Sequence, residues 1–186
     1  MLGTLVILGI LGALVALGIS LYNRLVRLRN GAEGAWSDID VQLKRRHNLI
    51  PNLVETVKGY ASHERKTLTD VTEARSRAAG AIGPSDQSGA ENALTQAISR
   101  LFAVAEAYPE LKANQGFQQL QGELSALEDA IQKARRYYNA IVRDLNTACD
   151  TFPSNVVAGG FGVAKKDYFE LDSRDQRVAP QVDFSS

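Results

Sequence analysis

From Leu2 to Leu21 the chain reads LGTLVILGILGALVALGISL, with only Thr4 and Ser20 polar and no charge before Arg24. At 1.5 Å rise per residue this is about 30 Å of helix, the thickness of a bilayer's hydrocarbon core. Leucines at positions 2, 5, 8, 11, 14 and 17 spread around such a helix instead of forming a stripe. A helix apolar on every side suits lipid, whereas a core helix shows a polar face. The pattern predicts a transmembrane anchor over residues 1–21. A cleaved signal peptide is the alternative: Ala16-Leu17-Gly18 has the small residues of a cleavage site, but no basic stretch precedes the apolar run. Small residues four apart, Gly9 with Ala13 and Gly12 with Ala16 and Ser20, form strips through which two spans can approach closely.

Beyond the span, apolar positions recur in steps of three and four. Leu21, Leu25, Leu28, Ala32, Ala35, Ile39 and Leu43 form a seam that continues the anchor as helix one. Because proline resists helical continuation, Pro51 ends helix one or kinks it; the expected reading is a turn at Asn48-Leu49-Ile50 with Pro51 opening helix two, which fades near Ala79. Gly80 to Gly89 reads as a loop, with Ser88 and Glu91 spaced as a capping box for helix three. Leu94, Ile98, Leu101, Phe102 and Ala105 line that helix until Tyr108-Pro109, and Pro109 to Gly116 reads as the next connection.

Helix four carries the longest pattern: Phe117, Leu120, Leu124, Leu127, Ile131, Ala134, Tyr138, Ile141, Leu145, Ala148 and Phe152. Glu128 lies one residue round from this seam, so its loss is expected to be nearly silent. After Pro153 the periodicity disappears, and a partly extended, poorly packed tail is expected. The predicted fold is all-α. A transmembrane helix (1–21) continues into an up-down four-helix bundle with long coiled-coil-like helices (22–152), followed by an irregular C-terminal tail (153–186).

Charge adds orientation. Arg24, Arg27 and Arg29 follow the span directly, which places the C-terminal domain in the cytoplasm with the N-terminus outside. The same arginines suit anionic lipid headgroups, so membrane lipids are an expected partner. Overall, 21 basic residues balance 21 acidic ones, and no basic field argues for nucleic acid. A single cysteine, Cys149, rules out an intramolecular disulfide.

The search for chemistry finds near misses. His63-Glu64 begins like a zinc-protease helix, but Thr67 stands where the second histidine belongs. There is no Glu-x-x-His pair for a di-iron bundle site, and Gly160-x-Gly162 lacks the third glycine of a dinucleotide loop. No catalytic residue, metal ligand or cofactor is therefore expected. Two polar clusters remain: Trp36, Asp38, Asp40, Arg45, Arg46 and His47 on helix one, and Arg135, Asn139, Arg143 and Asn146 on helix four. The reading favoured by their place beside the seams is an interhelix network, in which acids of helix one answer basic and amide groups of helix four. A docking surface is the other reading. An enzyme site around His47, His63 and Glu64 is a third.

AWSDIDVQLKRRHNLIPNLVETVKGYASHE, from Ala35 to Glu64, resembles the signature of the LemA family. YPELKANQGFQQLQGELSALEDAIQKARRYYNAIVRDLN and FPSNVVAGGFGVAKKDYFEL resemble its second half. The resemblance implies a bacterial, membrane-anchored helical bundle with no established catalytic activity. It also implies association with a membrane metallopeptidase of the HtpX type and with TPM-domain membrane proteins. The expected function is a non-enzymatic scaffold or adaptor at the inner membrane that forms a homo-oligomer. A regulatory partner of that metallopeptidase is the alternative.

Overall fold

The computed structural model of the chain describes residues 1–170, and these contain six helices and no strand. They are α1 (Leu2–Lys58), α2 (Arg65–Gly80), α3 (Gly83–Ala105), α4 (Pro109–Lys112), α5 (Gln115–Asp150) and α6 (Ser154–Gly160). The fold is all-α. The chain divides into two compact units. One comprises Met1–Arg46 and Gly122–Tyr168, the other His47–Gln121 with Phe169 and Glu170.

In the first unit, α1 emerges from the apolar span and packs antiparallel on α5. Leu25 clusters with Leu145 and Ala148, Trp36 stacks on Tyr138 with ring centroids 5.5 Å apart, and Arg46 pairs with Glu128. Each step forward along α1 is thus matched by a step back along α5. Of the seams read from the sequence, Leu25, Ala32, Ala35, Ile39 and Leu43 on α1 and Leu124, Ile131, Tyr138 and Leu145 on α5 are buried. Leu127, Ala134 and Ile141 are half-buried, and Val142, one residue beside the seam, is buried instead.

Phe152 departs from that seam and is 82% exposed, because α5 already ends at Asp150. There Ser154 Oγ donates to the carbonyls of Ala148 (2.7 Å) and Thr151 (2.9 Å), satisfying groups that a helix end leaves open. α6 then folds back, burying Ala158 and Val163 beside Leu25. Gly162, at φ +66°, lets the Val163 amide reach the Ala158 carbonyl at 2.9 Å, a glycine-dependent helix stop.

The expectation of a poorly packed tail from residue 153 is therefore corrected as far as Glu170; residues 171–186 lie outside the described chain. The stretch after α6 is held by side chains of α5. Asn146 donates to the Lys166 carbonyl and accepts from its amide, both at 2.9 Å, while the Tyr138 hydroxyl donates to the Asp167 carbonyl at 2.8 Å. Backbone groups paired in this way need no apolar period to fix them.

In the second unit, α1 continues through Pro51 to Lys58, which overturns the expected turn at Asn48-Leu49-Ile50. A helical proline leaves the carbonyl four residues back without its donor. Here that carbonyl belongs to His47, and Arg75 Nε of α2 donates to it at 2.8 Å. With the orphan satisfied, Ile50, Leu53 and Val57 keep the seam in register and buried. The break falls instead at Gly59–Glu64, where the amides of Tyr60 and Ala61 both bond to the Val57 carbonyl.

α2 packs on α3. The expected loop over Gly80–Gly89 is mostly helix: α3 begins at Gly83, whose φ of +82° suits a glycine, and Pro84 stands in its first turn. Ser88 and Glu91 consequently lie inside α3 and form no capping box. The connection Pro109–Gly116 holds the turn of α4, and Asn114 Oδ1 caps α5 by accepting the Phe117 amide at 3.0 Å.

Candidate functional site

The two polar clusters of the sequence are built differently from the expected network. On α1, the charged or titratable residues of the cluster that are buried are Arg46 and His47. Arg46 continues the seam Ile39, Leu43, Arg46, Ile50 and Leu53, and its side chain is 4% exposed. Glu128 of α5 meets it at 3.3 Å. The glutamate expected to be silent is thus the partner of a buried guanidinium. Asp38 is exposed, and Asp40 forms a surface pair with Lys44 at 2.6 Å along its own helix. In this pair a base of helix one is answered by an acid of helix four.

In the second unit, His47 is buried and its Nε2 lies 2.7 Å from Glu91 Oε1, itself fully buried on α3. Gln87, one turn earlier on α3, donates from Nε2 to the same Glu91 oxygen and to the Ala78 carbonyl of α2, both at 2.9 Å. His47, Gln87 and Glu91, with Arg75 on the His47 carbonyl, therefore tie α1, α2 and α3 together. Among the described residues no buried side-chain nitrogen or oxygen lacks a partner. Such a fully satisfied network fixes register, since each member left alone costs about 1–3 kcal/mol.

The remaining candidates separate. His63 is exposed, and Glu64 accepts from the Tyr108 hydroxyl at 3.3 Å, so the partners of His47 and Glu64 are different groups. Among the described residues, no three His, Cys, Asp or Glu side chains are placed to hold a metal. Arg45 and Arg143 are exposed, with Arg143 3.9 Å from Asp144. Arg135 and Asn139 are half-buried on α5, and Asn146 holds the segment after α6.

Cys149 is half-buried, with its Sγ 3.7 Å from the Val163 carbonyl. Burial and the neighbouring Asp150 push its thiol above the ordinary range against the opposing pull of Lys165, which keeps it protonated at neutral pH. Gly9, Gly12, Ala13, Ala16 and Ser20 are exposed along the span, as are Arg24, Arg27 and Arg29 just beyond it. None of the apolar window is covered by protein.

Glu91, Gln87, Glu128 and Arg75 were missed as network members. Gln87 and Glu91 do sit in step with Leu94, Ile98 and Leu101, so polar residues at seam positions were the available signal.

The family model of the LemA family matches residues 35–184. Protein LemA of Metamycoplasma hominis is 31% identical over 140 residues, covering 73% of this chain and 63% of that protein. The chain thus spans less than two thirds of that relative's length. Magnetosome protein MamQ 2 of Paramagnetospirillum magneticum is 25% identical over 184 residues, 85% of this chain and 68% of that protein. Magnetosome protein MamQ of Magnetospirillum gryphiswaldense is 25% identical over 189 residues, 87% of this chain and 70% of that protein. By the extent of the family match, the chain belongs to the LemA family.

Proposed function

We propose that this chain is a non-enzymatic, membrane-anchored helical scaffold or adaptor that self-associates on the cytoplasmic face of a bacterial inner membrane. The observation that carries this reading is the continuity of α1. One unbroken helix leads from an apolar stretch with no protein cover to the buried seam at Leu25, Ala32 and Ile39. The apolar stretch suits lipid around it, and the exposed Arg24, Arg27 and Arg29 directly after it support a cytoplasmic domain through the positive-inside bias. The partnered polar networks support a framework role, because their hydrogen-bonding capacity serves contacts between helices.

Self-association draws on the small-residue strips of the span and on confinement in one plane, which raises effective concentration. Crosslinking in intact cells tests it. The wild-type chain is expected to crosslink to itself, and Gly12→Leu and Ala16→Leu to weaken that product. Capture of a membrane metallopeptidase without self-crosslinks would overturn the scaffold and favour the regulatory-partner reading.

A further inference from the structure

We propose that the corner formed by the end of α5 and by α6 is a second membrane contact, dipping Phe152, Val156 and Phe161 into the lipid interface beside the anchor. This rests on the membrane-anchored reading above.

The corner is apolar and uncovered: Phe152 is 82%, Phe161 66% and Val156 64% exposed. Its inward side is already occupied, with Ala158, Val157 and Val163 packed around Leu25, so these three side chains are the outward remainder. Their height follows from the first unit's own register. Trp36 meets Tyr138, Gly31 faces Ile141, and Leu25 meets Leu145 and Ala148. Carried past Asp150, that progression brings Phe152 level with Ser20 to Tyr22, where the apolar span ends.

A direct contact fixes the same height for Phe161, whose ring lies 4.6 Å from that of Tyr22. The exposed apolar corner is therefore continuous with the lipid-facing surface of the span. The pair sits where aromatic side chains gather at membrane interfaces. Charge favours an anionic lipid surface. Arg24, Arg27 and Arg29 are exposed directly beyond Tyr22, and Asp150, the acid at the end of α5, is neutralised by Lys165 at 2.7 Å. Two attachments, the span and the corner, would hold α5 close to the bilayer normal set by α1.

The test is nitroxide labelling of the full chain in vesicles of phosphatidylcholine and phosphatidylglycerol. Phe152→Cys, Val156→Cys and Phe161→Cys are each made in a Cys149→Ala background, and power saturation compares collisions with oxygen and with a water-soluble nickel chelate. Labels at the three positions are expected to favour oxygen, the sign of a lipid environment. A label at Asp144→Cys on the exposed side of α5 is expected to favour nickel. Leu11→Cys reports the anchor separately. If Leu11 reads as lipid-embedded while the corner reads as aqueous, the second contact is refuted and the anchor stands. If Leu11 is aqueous, the anchored reading falls and takes the corner with it. Shielding of the corner from both reagents would also refute lipid contact, showing a protein surface there instead.

Discussion

The passage of α1 through Pro51 depends on a donor from another helix, and that dependence can be measured. Arg75→Met keeps most of the aliphatic stem and removes the guanidinium that donates to the His47 carbonyl. A hydrogen bond from a charged donor is worth about 1.5–3 kcal/mol, and Arg75 is half-buried, so a loss of about 1–2 kcal/mol is expected. Pro51→Ala restores the backbone N–H that normally fills this carbonyl. It is expected to stabilise by about 1–2 kcal/mol, since the helical penalty of proline, about 3 kcal/mol, is partly offset by Arg75 and by the stiffer unfolded chain.

The decisive quantity is the coupling. In the Pro51→Ala background the carbonyl has its own donor, so Arg75→Met is expected to cost less than about 0.5 kcal/mol, leaving a non-additivity of about 1 kcal/mol. Urea unfolding of the four proteins in detergent, followed by far-ultraviolet circular dichroism, supplies the cycle. Additive effects would refute the account of why the helix continues.

Glu128→Ala strips the carboxylate from a guanidinium only 4% exposed and is expected to destabilise by about 2–3 kcal/mol, whereas Asp129→Ala on the exposed side stays within about 0.5 kcal/mol. Equal effects in the same urea titration would remove the pair from the account. Burial, with Asp167 nearby, pushes the Tyr138 hydroxyl up to about 12 from an ordinary value of 10. The native state then holds its proton longer than the unfolded chain does. Stability from this group is complete below pH 10 and falls as pH rises to about 12, by about 2–3 kcal/mol in all. Tyr138→Phe should flatten that part of a pH–stability curve, and an unchanged slope would contradict the assignment.

What could be read from the chain was whatever long-range order wrote as period. The α1 seam from Leu25 to Leu43 and most of α5 repeat over many turns, and burial follows them, while the uniformly apolar span stays uncovered. What escaped was set by partners distant in sequence. Pro51 announces a missing N–H, but nothing local shows that Arg75, separated by the break at Gly59–Glu64, supplies the replacement donor. Gln87 and Glu91 keep the seam of α3, yet the surrounding Gly80, Gly83, Pro84 and Gly89 spell a loop in local propensity, and tertiary packing overrides it. The segment after α6 has little apolar pattern because Asn146 and Tyr138 hold its backbone. Among the candidate residues, the side of the helix was legible and the pairing was not. Asp38, Asp40, Arg45, Arg46 and His47 form one polar run, yet among them only Arg46 and His47 are buried.

Protease accessibility of the full chain, tagged after Ser186, tests most directly that the span holds the domain at the cytoplasmic face. Intact spheroplasts and inverted membrane vesicles are compared after alkaline washing. With the domain in the cytoplasm, the tag stays with the washed membrane, survives protease in spheroplasts and is lost in inverted vesicles. Release by alkali, or loss of the tag in spheroplasts, would contradict it.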